Sequence, residues 1–177
     1  EEGKSRKEFL RLASQIEGVY VPSLYQGQYH EDGTIASVTP MDGAPAKIRK
    51  RVVLDLDNAY YPKSFVVPFL DIVHNRAVAE VFRGCIRGCR FCQAGFIYRP
   101  VIEKSVETVS RQCRDLCAST GYDEVSLSSL STSDYSKINE LLDELLTWSK
   151  KDMVNVSLPS LRVDGFSTEL TDKIKTV

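Results

Sequence analysis

Three cysteines stand close together in one short segment of the chain. Cys85, Cys89 and Cys92 follow one another with a C-x3-C-x2-C spacing, which places three thiolates on one tight loop. Such a loop can hold three corners of an iron–sulfur cubane, whereas these clusters ordinarily take four cysteines. One iron is then left open to a small molecule. The motif therefore indicates a reactive centre rather than a centre that only carries electrons.

Zinc and disulfide sites are the other uses of such cysteines. A structural zinc site needs a fourth ligand and usually takes its ligands as two short-spaced pairs. The nearby imidazole is His74, which precedes Cys85 on the far side of a predicted strand. A disulfide is disfavoured because the chain has an intracellular character, and cysteines in reducing compartments are more often metal-binding or catalytic. The cluster is the favoured interpretation, and zinc stays open.

Composition sets the broad class of the protein. The chain has 177 residues, of which 42% are hydrophobic and 27% charged, as is typical of a soluble globular domain. It lacks both a long apolar run and a signal-peptide pattern at its start, so we expect a cytoplasmic protein without a membrane segment. The formal net charge of −1 gives no general attraction to nucleic acid or to anionic membranes.

One locally basic run stands apart from this balance. Residues 47–51 read Lys-Ile-Arg-Lys-Arg and are soon followed by Asp55 and Asp57. The favoured interpretation is a solvated strand edge, and an RNA contact is the alternative.

The first part of the chain, residues 1–73, is predicted to be a small α+β accessory region. Ser5 and Glu8 have the spacing of a capping box, which marks the start of a helix. The predicted elements are a helix from there to Gly18, a hairpin of strands 19–21 and 35–38, a strand at 51–56 and a wrapping segment at 58–68.

From residue 74 to 177 the pattern changes to strand, loop and helix, repeated. Three such units predict parallel strands covered by helices and joined by right-handed crossovers. The predicted strands are 77–82, 124–128 and 154–158, and the helices between them are capped by Ser105 and Asp134. Gly121 is predicted to close the first of these helices. The chain begins without methionine and stops inside a helical pattern, which suggests a fragment.

Two further cysteines lie in the first of these helices. Cys113 and Cys117 are one turn apart on its apolar stripe. Free cysteine packs as a small hydrophobe, so we expect both in the core rather than among metal ligands.

The predicted strands alternate between apolar and polar residues. A filled β/α barrel packs its interior with bulky branched side chains, whereas this interior is predicted to be polar. The pattern fits a wider barrel, or half of one, around a polar ligand. The residues expected to face the helices are Val125, Leu127, Val154, Val156 and Leu158, and those on the other face are Ser126, Ser128, Asn155 and Ser157.

The cysteine motif, with Phe91 just before its third cysteine, resembles the signature of the radical S-adenosylmethionine (SAM) superfamily. Residues 71–85 and the accessory region resemble an uncharacterised group of these proteins that often carries an upstream cobalamin-binding-type domain. The resemblance implies a partial (β/α)6 barrel, of which residues 74–177 are the N-terminal half. It also implies an enzyme whose fragment is inactive by itself.

The same resemblance implies the cofactors. Cys85, Cys89 and Cys92 would hold three irons of a [4Fe-4S] cluster, while the amino and carboxylate groups of SAM chelate the fourth. An electron from a donor such as flavodoxin or ferredoxin would cleave SAM to a 5′-deoxyadenosyl radical, which abstracts a substrate hydrogen. Cobalamin would enter through a domain outside this chain.

Several residues are implied as SAM-binding. The backbone at Phe91 would meet adenine, and Arg162 would neutralise the methionine carboxylate, although a surface arginine is an equal interpretation. Family members often carry a Gly-Gly-Glu-like run after the second strand, where this chain has serines. The serine candidates are Ser128, Ser129, Ser131 and Ser157.

The substrate and the catalytic residues are not indicated, because function lies in sites added to a fold. Methyl or methylthio transfer is suggested by analogy alone. The alternatives are a non-catalytic zinc- or cluster-binding module and an RNA-binding accessory piece. An open sheet edge also predicts that the fragment self-associates.

Overall fold

The structure is a computed structural model, and it describes residues 3–70, 72–165 and 168–174. Contacts divide the chain into two compact units, Glu1–Val53 and Leu54–Val177. A compact unit and a domain need not end at the same residue. The predicted domains, 1–73 and 74–177, therefore stay a prediction.

The first unit begins with helix α1, Arg6–Ala13. The Ser5 side-chain oxygen accepts from the Glu8 backbone N–H at 3.2 Å, so the predicted start of the helix is confirmed. The helix ends at Ala13 rather than at Gly18. The intervening residues form turns, in which the Ser14 hydroxyl donates to the Arg11 carbonyl at 2.7 Å.

A two-stranded antiparallel hairpin completes this unit. Strand β1, Tyr25–Tyr29, pairs with β2, Ile35–Pro40. The predicted first strand at 19–21 is wrong, because Pro22 starts a 3-10 turn that delivers the chain to β1. Asp32 accepts from the Thr34 backbone N–H at 2.9 Å and so stabilises the connecting turn.

The second unit contains the strand–helix repeats. In chain order its elements are β3 (Ala77–Glu80), β4 (Phe82–Arg83), α2 (Ala94–Ile97), β5 (Ile102–Glu103), α3 (Val106–Thr120), β6 (Glu124–Ser128), α4 (Ile138–Asp152), β7 (Asn155–Ser157) and α5 (Thr168–Ile174). Strands β3, β6 and β7 form one parallel sheet in that order. The prediction of three parallel strands alternating with helices is confirmed, and the arrangement is consistent with part of a barrel.

The register of this sheet confirms its two different faces. Val125 lies opposite Ala77 and Val156, whereas Ser126 lies opposite Ser157, and Ser128 lies opposite Glu80. The apolar face packs against α3 and α4. Its core includes Ala77, Ala79, Val109, Leu116, Val125, Leu127, Leu141 and Leu145.

Helix α3 has both of the predicted ends. The Ser105 side chain accepts from the Thr108 N–H at 3.2 Å, and Gly121 adopts the left-handed conformation that closes the helix. Cys113 and Cys117 lie on the inner face of this helix and are buried in the core, as predicted.

Helix α4 does not start as predicted. Lys137 occupies the capping position, while Asp134 lies in a 3-10 turn, Thr132–Asp134. The Asp134 carboxylate pairs instead with Arg87, and a charge-assisted pair with two hydrogen bonds outweighs a single helix cap.

The predicted strand at 51–56 is also wrong. Within the described part of the chain these residues pair with no strand. Asp55 instead accepts from the backbone and side-chain N–H groups of Asn58, at 3.1 and 2.7 Å, which turns the chain. The following segment lies against α3, where Asp57 accepts from the Ser105 N–H at 2.8 Å and Tyr61 donates to Asp115 at 2.5 Å.

Replacing Leu145 tests the packing of this core. The side chain is fully buried between α4 and the sheet, so Leu145→Ala should lower the free energy of unfolding by about 2–5 kcal/mol. Urea denaturation measures the change. Leu54 is 76% exposed, and Leu54→Ala should change the same quantity by less than about 0.5 kcal/mol. Equal effects of the two variants would contradict this packing.

No helix among the described residues combines the length and the apolar character needed to cross a membrane.

Candidate functional site

The cysteine motif lies in a loop between two short paired strands. Strand β4 follows β3 after one residue and pairs antiparallel with β5, so the two ends of the loop lie side by side. The Cys85 backbone N–H donates to the Tyr98 carbonyl at 3.0 Å and closes the base of the loop. The loop therefore leaves the sheet at the carboxyl end of β3, as the sequence predicts.

The interior of the loop is braced by close backbone contacts. Arg99 Nε donates to the Gly95 carbonyl at 2.6 Å, and Nη2 donates to the Ile86 carbonyl at 3.1 Å. A Cβ atom at Gly95 would lie 2.0 Å from the Arg87 carbonyl oxygen. Helix α2 thus lies directly on the backbone between the first two cysteines, and only glycine fits there.

Hydrogen-bond donors lie beside two cysteines of the motif. Cys85 is buried, while Cys89 and Cys92 are half-buried, and all three are free thiols. The Arg87 backbone N–H donates to Cys85 Sγ at 3.4 Å, and Arg162 Nη1 lies 3.8 Å from Cys89 Sγ. Polar hydrogens therefore lie beside two of the three sulfurs of the motif.

The donor set fits an iron–sulfur cluster by its chemistry, since soft thiolates are the ligands of such clusters. The three cysteine side chains do not lie together in this structure. In the described ranges, no three His, Cys, Asp or Glu side chains are close enough to hold an ion. A cluster held by all three cysteines would require their sulfurs to move closer together. His74, the imidazole considered for zinc, lies with Nδ1 3.0 Å from Arg76 Nη2.

A pocket of about 420 Å³ adjoins the loop at the carboxyl ends of β3 and β6. Two of the serine candidates, Ser128 and Ser129, line it together with Tyr98. Arg83 donates to both carboxylate oxygens of Glu80, at 3.0 and 2.8 Å, on the same wall. The ends of β3 and β6 and the base of the cysteine loop, at Gly84 and Tyr98, therefore face a common space. The three motif cysteines are not among the described residues that line it.

The other serine candidates lie elsewhere. Ser131 is buried in the turn after β6, where its carbonyl accepts from the Asp134 N–H at 2.8 Å. Ser157 is half-buried in β7, opposite Ser126. Neither Ser131 nor Ser157 is among the described residues that line the pocket. The proposed contact of these two serines with SAM stays a prediction.

Phe91 and Arg162 differ in how they approach the cysteines. The Phe91 side chain is 94% exposed, so its backbone beside Cys92 is the part near the motif. Arg162 reaches Cys89 from beyond β7, and its Nε and Nη2 donate to Asp164, each at 2.9 Å. This ion pair lowers the pKa of Asp164 and raises the pKa of Arg162.

An ion pair between Arg87 and Asp134 also belongs to the site, and sequence reasoning missed it. Arg87 lies between Cys85 and Cys89, and its Nε and Nη2 donate to the two carboxylate oxygens of Asp134, the first at 2.9 Å. The Asp134 side chain is 8% exposed, and its pKa is lowered chiefly by the hydrogen bond from Arg87. The pair ties the loop to the turn after β6.

Thiol reactivity separates the two groups of cysteines. Burial raises the pKa of Cys113 to about 12 and also raises the pKa of Cys117. At about pH 8 the folded, metal-free protein should therefore be alkylated at Cys89 and Cys92 well before Cys113, because the thiolate is the reactive form. Mass spectrometry of peptides after timed alkylation measures this order. Cys113 reacting as fast as Cys92 would contradict its burial.

More than half of the chain matches a known protein family. The model of the radical SAM superfamily matches residues 79–176. No curated protein matches the chain. The matched range starts in β3 and includes the cysteine loop, β6 and β7.

Proposed function

Because the chain belongs to the radical SAM superfamily, we propose that Cys85, Cys89 and Cys92 hold a [4Fe-4S] cluster whose fourth iron is open to SAM. Membership of this family indicates SAM-dependent radical chemistry with an iron–sulfur cluster. The observation that carries the residue assignment is the loop itself: three free thiols in eight residues, at the carboxyl edge of the sheet.

When bound, the cluster would pass one electron from an external donor to SAM, so that a C–S bond is cleaved to methionine and a 5′-deoxyadenosyl radical that would abstract a substrate hydrogen. The chain's own part is to bind and orient SAM. The hydroxyl oxygens of Ser128 and Ser129 can accept from its amino group. Ser129 Oγ also lies 2.9 Å from Thr132 Oγ1, with which it shares a hydrogen bond. Arg162 matches its carboxylate, because a guanidinium binds a carboxylate with two parallel hydrogen bonds. In this structure, the Arg162 guanidinium donates both of these hydrogen bonds to Asp164.

The exposed surface of the loop suits electron entry. Phe91 is exposed and Cys89 and Cys92 are half-buried, which leaves a short path from the surface to the sulfurs. We propose a small electron-transfer protein such as flavodoxin or ferredoxin as the donor. The substrate is unassigned, and methyl or methylthio transfer, with cobalamin supplied by another domain, is proposed by analogy. Self-association through the outer edge of β7 also stays a prediction.

Anaerobic reconstitution with iron and sulfide tests this proposal. The expected product is a brown protein with about four irons per chain and sulfur-to-iron absorption in the visible region. A colourless protein that takes up zinc instead, at about one ion per chain, would support the structural zinc module. Uptake of neither metal would overturn the assignment of these cysteines as ligands.

A further inference from the structure

The backbone N–H of Arg87 points at a sulfur of the motif. It donates to Cys85 Sγ at 3.4 Å, while the side chain of the same residue is bound by Asp134. Rotation of the Arg87 peptide would remove the first contact and displace the side chain from the second. The ion pair and the N–H···S contact are therefore mechanically linked.

Asp134 provides a fixed anchor for this link. Its own N–H donates to the Ser131 carbonyl at 2.8 Å, and the Thr132 N–H donates to the Ser160 carbonyl at 3.2 Å. Thr132 is fully buried, so the turn cannot follow the loop outward without exposing it. The turn after β6 is thus held by the chain beyond β7, and Arg87 is held by the turn.

The charge of Arg87 is largely balanced by this contact. Asp134 accepts both of its hydrogen bonds, and the Asp134 side chain is shielded from water. Arg87 therefore acts on the Cys85 sulfur chiefly through its backbone N–H, which is a neutral donor. Hydrogen bonds to cluster sulfurs are among the factors that set the reduction potential, because they stabilise the more negative, reduced form.

We propose that Arg87 and Asp134 form a positioning pair, which holds the Arg87 backbone N–H on the Cys85 sulfur and thereby raises the reduction potential of the cluster. This inference rests on the proposed function for its second part. Its first part, the holding of the Arg87 N–H, applies to the protein without any cluster.

The test compares Asp134→Asn and Arg87→Lys with a matched control. Asp134→Asn keeps the shape of the side chain and removes its charge, and Arg87→Lys keeps the charge and removes the two-pronged geometry. The control is Glu124→Gln, which weakens the half-buried Arg76–Glu124 ion pair at the opposite end of the sheet. Amide hydrogen exchange at Arg87 is measured in the cluster-free protein, and the midpoint potential by redox titration of the reconstituted protein.

We expect Arg87 amide exchange to become roughly tenfold faster in both pair variants, the change that corresponds to losing one charge-assisted hydrogen bond. The midpoint potential should become more negative in Arg87→Lys, which keeps the charges of both residues. Asp134→Asn is compared by exchange alone, because the loss of a negative charge beside the loop changes the potential by itself. The control should match the unaltered protein in both measurements. Unchanged exchange at Arg87 would overturn the positioning role. Faster exchange with an unchanged potential would overturn the tuning of the cluster.

The exchange measurement also separates this inference from the proposed function. If the unaltered protein takes up no cluster, the proposed function fails, while faster exchange at Arg87 in the pair variants still supports the positioning role. If the cluster forms normally and neither quantity moves, the pair has no such role and the proposed function stands.

Discussion

Replacing Cys85, Cys89 or Cys92 singly with alanine is expected to abolish the uptake of iron and sulfide. Three ligands hold three irons, and the loss of one leaves two irons without a protein ligand. Iron and sulfide analysis after anaerobic reconstitution measures the effect. The spectrum of each variant should lose the visible absorption expected of the unaltered protein.

The matched control uses the cysteines of α3. Cys113→Ala and Cys117→Ala change residues buried in the core, away from the loop, and should leave cluster uptake intact. A variant without Cys113 that fails to bind iron, together with a Cys89 variant that binds it normally, would contradict the assignment of the ligands.

Gly95→Val should have the second largest effect, because it forces the loop apart. A Cβ at this position would lie 2.0 Å from the Arg87 carbonyl oxygen, so the backbone of α2 must separate from the cysteine segment. We expect cluster uptake to be lost and the free energy of unfolding to fall by about 1–3 kcal/mol. Iron analysis and urea denaturation measure the two effects.

Gly88 provides the comparison within the same loop. A Cβ there meets no atom within 4 Å, so Gly88→Ala should leave the free energy of unfolding nearly unchanged. If Gly95→Val and Gly88→Ala had the same effect on stability, the close approach of α2 to the loop would be refuted.

The regular part of the fold could be predicted because local signals agree there. Ser105 and Gly121 mark the two ends of α3, and both act as the sequence predicts. The alternation in residues 124–128 likewise identifies β6 and its two faces. Where capping residues and hydrophobic period point to the same element, the sequence is sufficient.

The errors arise where a long-range contact or a turn competes with a local preference. The apolar residues at 51–56 suggest a strand, but Asp55 turns the chain toward Asn58. Asp134 has the character of a helix cap, but it is bound by Arg87, 47 positions away. A single sequence gives no sign of such a pairing.

The candidate site likewise contains residues that the local sequence predicts and residues whose positions depend on long-range folding. The cysteine spacing predicts the metal ligands, since three thiols on one loop are local information. Ser128 and Ser129 line one pocket, whereas Ser131 lies buried in its turn. The position of Arg162 near Cys89 depends on how the chain folds back after β7, which the sequence pattern does not contain.

The most direct measurement concerns the iron that would lack a cysteine ligand in the proposed cluster. The electron paramagnetic resonance spectrum of the reduced, reconstituted protein should change when SAM is added, because its amino and carboxylate groups become ligands of that iron. S-adenosylhomocysteine, which lacks the sulfonium charge, serves to show which part of the change depends on that charge. A protein with a full complement of iron whose spectrum is identical with and without saturating SAM would contradict an open iron at Cys85, Cys89 and Cys92.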